Sequence, residues 1–330
     1  MEKSLHNSGN INNFRLIISP KGAILIKPPF LMREGEKVVS VDRYEAYLRN
    51  ERKMSANTVQ AYLRDIRHFA DFVSSRGVAD VSEASNAEVV AYLMNLKTAG
   101  RSRSTVNRKL ASIRIFFDFL QREGLIKANP ADDIKSPKIE KRGIEYLSIE
   151  EIEQLISLPD RTQKGIRDRA ILELLYATGI RASELIQMRV ADVNLRMGFV
   201  KCDGQHGKAR IIPMGRLCRN AMENYMLDIR EKMLRGKETE SLFVNYMGEP
   251  MTRQGLWKVL KEYGEMAGLE LSLTPQIIRN SFAVHMLQNG ADVKSLQELM
   301  GHEDIAATQA YLAVTKNRIK DVYDKAHPRA

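Results

Sequence analysis

The sequence predicts a mainly α-helical protein built as two helical units joined by an irregular connector. Three observations carry that expectation. Between residues 41 and 124 apolar side chains recur at spacings of three and four, the period of a helix with one buried face. The stretch "NPADDIKSPKIEKRG" (Asn129–Gly143) then carries two prolines and mixed charge without any period, as a linker does. Beyond it the helical pattern resumes, interrupted only by short strand-like runs.

Residues 1–38 read as an extension. "NFRLIISPKGAILIKPPFLMREGEKV" has short apolar pieces broken by Pro20, Pro28 and Pro29, which suit a small hairpin around Pro20–Gly22 and lack the continuous apolar region of a signal peptide. Met32 stands as an alternative start. A four-helix unit is expected over 39–125. Its first helix lies near Val41–Asn50. The second carries Val59, Leu63, Ile66, Phe69, Ala70 and Val73, with N-cap chemistry from Asn57 and Thr58 and a stop at Gly77. The third follows Ser85–Asn86 and turns Val89, Val90, Leu93 and Leu96 inward. The fourth carries Val106, Leu110, Ile113, Phe117 and Leu120 and stops at Gly124. Residues 126–144 form the linker and 145–330 the second unit. There Ser148 caps "SIEEIEQLI", with Glu151 completing a capping box. Strand-like segments lie near Val190–Asn194, Gly198–Cys202, Ala209–Pro213 and Leu242–Asn245.

Composition narrows the function. Hydrophobic residues at 44% and charged residues at 28% are ordinary for a globular chain, and no apolar run reaches the roughly 18 residues of a membrane span. Lys and Arg number 51 against 41 Asp and Glu, a net charge of +10, which suits a polyanionic partner. Cys202 and Cys218 form no CxxC or Cys/His cluster, so reduced thiols in a cytoplasmic protein are expected and a disulfide or zinc site is not.

The charge is concentrated on one stretch. Lys97, Arg101, Arg103, Arg108, Lys109 and Arg114 occur without an acid between them, and Ser102, Ser104, Thr105 and Asn107 lie among them. A solvated helix face is the ordinary explanation of such a run. The missing acids and interleaved donors suit phosphate contacts better. Arg64 and Arg67, on the polar face of the second helix, extend the surface.

Three further segments hold chemistry. "YATGIRASEL" (Tyr176–Leu185) breaks a helix at Gly179 and restarts it behind Arg181. "TPQIIRNSFAVHML" (Thr274–Leu287) opens a helix with Pro275 and places Arg279 in its first turns. "LMGHEDIAATQAYLAV" (Leu299–Val314) brings His302 and, nine residues later, Tyr311. Singly, such arginines are surface ion-pair partners and such a tyrosine is a half-buried ring. Together and in this order, these segments resemble the tyrosine recombinase (phage-integrase) family, and within it the Xer recombinases. The resemblance runs from about residue 41 to the end. It is carried by "ATGIRASEL", "QNGADVKSLQ" and "LQELMGHEDIAATQAYL", and the tail "DVYDKAHPRA" looks most like the XerD branch.

The resemblance implies a helical, SAM-like core-binding domain and a mainly helical catalytic domain with a small three-stranded sheet, together forming a C-shaped clamp round duplex DNA. It implies that a tyrosine attacks a DNA phosphate, leaving a 3′-phosphotyrosyl enzyme and a free 5′-hydroxyl, without metal or ATP. A 5′-hydroxyl from a second strand reverses the step. Tyr311 is then the nucleophile, Arg181 and Arg279 the guanidinium forks on the phosphate, and His302 a partner of a phosphate oxygen or of the tyrosine. Glu184 would orient Arg181. Double-stranded DNA is the implied partner, met by Arg64, Arg67, Lys97, Arg101, Arg103, Ser104, Arg108, Lys109 and Gln276. A homo- or hetero-tetramer on two sites, with a second Xer-type recombinase as one partner, is the implied assembly.

Two motifs depart from the family. Its second arginine motif usually reads His-x-Leu-Arg-His; here "QIIRN" puts Gln276 and Asn280 where the histidines belong. Its hairpin lysine sits in a Gly-Lys-Gly-x-Lys-x-Arg run; here "DGQHGKAR" puts Gln205 in the lysine's place. Glutamine releases no proton near neutral pH, and a missing general acid costs about 10²–10⁴ in rate. Lys208, flanked by Gly207, is the expected substitute donor, with His206 a second candidate. The competing readings are a weakened DNA-binding paralogue in an accessory or regulatory role, and a monomeric type IB topoisomerase-like enzyme, against which the Xer-like tail counts.

Overall fold

A computed structural model describes residues 16–18, 24–26, 41–138, 143–203, 209–302 and 305–312. The chain divides into two compact units, Met1–Lys141 and Arg142–Ala330.

In the first unit, strands β1 (Leu16–Ile18) and β2 (Ile24–Ile26) pair antiparallel, Leu16 opposite Ile26. The expected turn at Pro20–Gly22 lies outside the described residues. Helix α1 (Val41–Ala46) runs on into a π-helical turn, Tyr47–Glu51. Helix α2 spans Ala56–Ser75, and its cap is Ser55, whose hydroxyl accepts from the Thr58 amide. The expected caps, Asn57 and Thr58, lie inside the helix. Ser85 and Glu88 form a capping box on α3 (Asn86–Thr98), and Ser102 caps α4 (Arg103–Arg122). Each such cap satisfies orphan amides and is worth about 1 kcal/mol.

The apolar stripes meet around Leu110, Ile113, Phe69 and Phe117, the two rings edge to face at 6.1 Å. On α3 the buried stripe is Val89, Tyr92 and Leu96, while Val90 and Leu93 are half-buried beside it. The connector is tied down by side chains. Asn129 and Ala131 are buried, and the Asn129 amide donates to the Arg114 carbonyl and to Asp118. Arg114 donates to the carbonyls of Ala131 and Ile134, and Asn107 to that of Pro137. Residues 129–138 are thus strapped to α4 by hydrogen bonds, which periodicity cannot register.

In the second unit Ser148 and Glu151 form the expected capping box on α5 (Ile149–Ser157). Helix α6 (Gln163–Thr178) buries Ala170, Ile171, Leu172, Leu174 and Leu175 together with Arg167, Asp168 and Glu173; a helix buried on nearly every side belongs at the centre of its unit. Then come α7 (Ala182–Gln187) and a 3-10 turn (Val190–Asp192). Strands β3 (Val193–Asn194), β4 (Phe199–Asp203) and β5 (Ala209–Pro213) form an antiparallel sheet in that order, with Val200 opposite both Val193 and Ile212. Helix α8 (Arg216–Glu223) passes through a π-helical stretch into α9 (Arg230–Leu234). Helices α10 (Arg253–Met266), α11 (Pro275–Gln288) and α12 (Val293–Met300) follow, and residues 305–312 form α13.

Leu242–Asn245 is not a sheet strand. It makes an isolated bridge from Val244 to Pro250, and its apolar side chains Leu242, Phe243 and Val244 are all buried. Tyr225 and buried Arg167 donate to its carbonyls, so the run serves the core. Cys202 and Cys218 are buried and unpaired, and burial pushes both thiols up to about 12. No helix among the described residues is long and apolar enough to cross a membrane.

Candidate active site

The site grows from the C-terminal end of α12. A helix leaves its last carbonyls without amide partners, and that end carries partial negative charge. Here the carbonyls of Leu299, Met300 and Gly301 each take one guanidinium: Arg210 at 2.8 Å, Arg279 at 2.7 Å and Arg181 at 2.9 Å. Gly301 ends the helix in the left-handed conformation (φ 62°), and a Cβ there would come within 2.9 Å of Arg210.

Each arginine arrives from a different element. Arg181 precedes the first turn of α7 because Gly179, also left-handed (φ 57°), closes α6; a Cβ on Gly179 would overlap the Phe282 ring at 2.2 Å. The Arg181 amide and guanidinium both donate to Glu184, at 2.7 and 3.0 Å. Arg210, from β5, grips the same carboxylate with two prongs, 2.8 and 2.9 Å. Burial works to raise the Glu184 pKa, but the bonds from Arg210 and Arg181 outweigh it and hold the group below the usual carboxylate range. Arg279, one turn into α11, is buried and also donates to the Gly179 carbonyl. Burial, then the charge of Arg181, brings its pKa down to about 10, so it stays cationic at neutral pH. Among the described residues, three guanidiniums face one carboxylate. Such a surplus suits an anion.

His302 follows directly. Its Nε2 lies 3.0 Å from Arg279, which can only donate, so Nε2 accepts; Nδ1 then donates to Thr308 on α13 at 2.8 Å. Burial foremost, then Arg279 and Arg181, lower its pKa to about 4, so the ring is neutral at pH 7. Tyr311 lies nearly parallel to that ring (7°, centroids 6.5 Å apart) and is buried with Phe282, Leu287, Leu296 and Met300. Its hydroxyl donates to Asn280 Oδ1 at 3.0 Å. Burial raises the phenol pKa, and the charge of Arg279 opposes the rise.

Arg181, Arg279, His302 and Tyr311 therefore converge. Lys208, with Gln205 and His206, lies outside the described residues. Gln276 is exposed at the start of α11 and donates to Asn280 at 2.8 Å. Of the expected DNA contacts, Arg64, Arg67, Lys97, Arg101, Arg103, Ser104 and Arg108 are exposed. Lys109 is not. It is buried against Asp65 (3.0 Å) and the Tyr92 hydroxyl (3.2 Å), and Arg108 shares the same carboxylate. The acid absent from the 97–114 run is supplied by α2. Arg210, Asn280 and Thr308 were not among the expected site residues. Arg210 had a signal, as the last residue of "DGQHGKAR".

The chain is similar to known proteins over most of its length. Residues 145–318 match the phage integrase family and residues 41–124 its N-terminal SAM-like domain. The chain is 40% identical over 293 residues to the tyrosine recombinase XerD of Listeria monocytogenes serotype 4b, covering 88% of this chain and 99% of that protein. Its fold is similar to the XerH site-specific recombinase bound to palindromic difH substrate (TM-score 0.65, 19% identity, 86% of this chain and 84% of that one). It is similar also to a lambda integrase tetramer bound to a Holliday junction (TM-score 0.62, 18% identity, 82% and 75%).

Proposed function

The chain belongs to the phage integrase family of tyrosine recombinases, and we propose that it cuts and rejoins double-stranded DNA at specific sites through Tyr311. The observation that carries this reading is the convergence of Arg279, His302 and Tyr311 beside Arg181, with guanidiniums anchored on successive carbonyls of one helix end. Anchored donors need little reorganisation when phosphate charge grows in the transition state.

The Tyr311 oxygen attacks phosphorus as its phenolic proton is lost to solvent, and the P–O5′ bond breaks, leaving a 3′-phosphotyrosyl link and a 5′-alkoxide that takes a proton. Arg181 and Arg279 hold the non-bridging oxygens. Neutral His302, with Nε2 accepting from Arg279, positions that guanidinium for the phosphate. Lys208 supplies the proton to the 5′-oxygen. The incoming 5′-hydroxyl of a second strand reverses the step, so bond energy is conserved. The acting species is a tetramer spanning two duplexes in the cytoplasm, either of this chain alone or of this chain with a second recombinase of the same type.

A duplex nicked near the cleavage point tests the proposal, because loss of the short fragment traps the covalent intermediate. The wild-type chain accumulates a protein–DNA adduct that survives denaturation. Tight binding with no adduct would make it a DNA-binding paralogue instead. The proton donor has its own test. Lys208→Ala cripples cleavage of ordinary DNA and spares a substrate with a 5′-bridging sulfur, whose thiolate leaves unprotonated. If Gln205→Lys, and not the wild type, cleaves ordinary DNA, Lys208 is not the donor.

A further inference from the structure

The two departures from the family motif, Gln276 and Asn280, meet at the Tyr311 hydroxyl. Asn280 Nδ2 donates to the Glu145 carbonyl at 2.9 Å, and a carbonyl can only accept, so the amide's orientation is fixed. Its Oδ1 then faces the other way and accepts two hydrogens, from Gln276 Nε2 at 2.8 Å and from the phenol at 3.0 Å. We propose that Asn280 is a positioning residue for the nucleophile: its amide oxygen holds the phenolic hydrogen and so sets the torsion of the hydroxyl that must face phosphorus. The proposal rests on Tyr311 being the nucleophile.

The physical case is one of orientation. Packing against Phe282, Leu287, Leu296 and Met300 fixes the ring but not the torsion of its hydroxyl. A hydroxyl rotor sweeps its lone pairs with it, and a misdirected lone pair is an unproductive encounter. Among the described residues, the charged and titratable groups around the phenol are Arg279 from α11, Arg181 from α7 and the neutral His302 between α12 and α13; Glu184 and Arg210 stand behind the arginines. Asn280 differs from these in having no proton to exchange. A histidine in its place would accept the phenolic hydrogen only while neutral, so this chain's nucleophile is held by a group indifferent to pH. Gln276 steadies the amide from the exposed side.

Single-turnover adduct formation on the nicked duplex, measured beside DNA affinity, tests this. Asn280→Leu lowers the adduct rate at least about tenfold while Kd stays within about twofold, because orientation and not binding is lost. Asn280→His restores the rate to within about threefold of wild type at pH 8. It then loses rate as pH falls below about 6.5, where imidazole protonates and no longer accepts. Wild type lacks that limb. Gln276→Met, at an exposed position where folding is not at stake, slows adduct formation about threefold and decides the matter if the Asn280 variants misfold. Asn280→Leu at the wild-type rate, equal loss of rate and affinity, an Asn280→His profile without the acid limb, or an indifferent Gln276→Met overturns the proposal. Absence of adduct from wild type overturns the functional reading as well, so the two failures are distinguishable.

Discussion

Glu184 is the residue on which two of the three arginines depend, and it carries the sharpest single-residue expectation. It receives both prongs of Arg210 and two bonds from Arg181. Removing one partner of a buried ion pair leaves uncompensated charge, at about 3–5 kcal/mol. Glu184→Ala is therefore expected to lower unfolding stability by about that amount in urea titration, and to slow adduct formation about 10²-fold as Arg181 loses its fixed geometry. Wild-type stability in that variant would remove Glu184 from the account. His302 predicts a pH effect. The unfolded ring titrates near 6.5 and the folded one near 4, so between those values the unfolded chain binds the extra proton and stability falls with acidification. The urea midpoint of the wild type should decline from pH 7 to 5, and His302→Gln should decline less. Motif order makes Arg181, Arg279, His302 and Tyr311 legible in the sequence. Asn280 is legible there only as an anomaly, since which amide reaches which phenol is settled by the packing of α11 against α13.

Elements are legible where the apolar stripe is strong and obscure where polar contacts decide. Helices α2 and α4 announce themselves through residues such as Val59, Leu63, Val106 and Leu110, all buried. The strap over 129–138 and the buried run at 242–244 do not, because one is held by side-chain donors to carbonyls and the other is apolar without a sheet partner. Lys109 is the instructive case. Within α4 it counts as one more basic residue, yet its ammonium is tied to Asp65 on α2. Asp65→Ala should destabilise by about 3–5 kcal/mol in thermal or urea unfolding, since it strands a buried lysine. Arg101→Ala, at an exposed position, should leave stability within about 0.5 kcal/mol. Equal effects of the two changes would contradict the division of this run into anchor and surface.

At the scale of the whole molecule, a net charge of +10 matters through where it lies. If Arg64, Arg67, Arg101 and Arg103 touch backbone phosphates, replacing Arg101 and Arg103 with Ala should flatten the slope of log K against log salt by up to about 0.9 for each phosphate no longer neutralised. An unchanged slope returns them to a solvated face. The central claim is that Tyr311 becomes covalently linked to DNA, and the most direct measurement is mass spectrometry of the adduct after nuclease and protease digestion. The account predicts a phosphonucleotide on the peptide containing Tyr311, and no adduct from Tyr311→Phe despite DNA affinity within about threefold of wild type. A nucleotide on another of the eleven tyrosines, or adduct persisting in Tyr311→Phe, would contradict it.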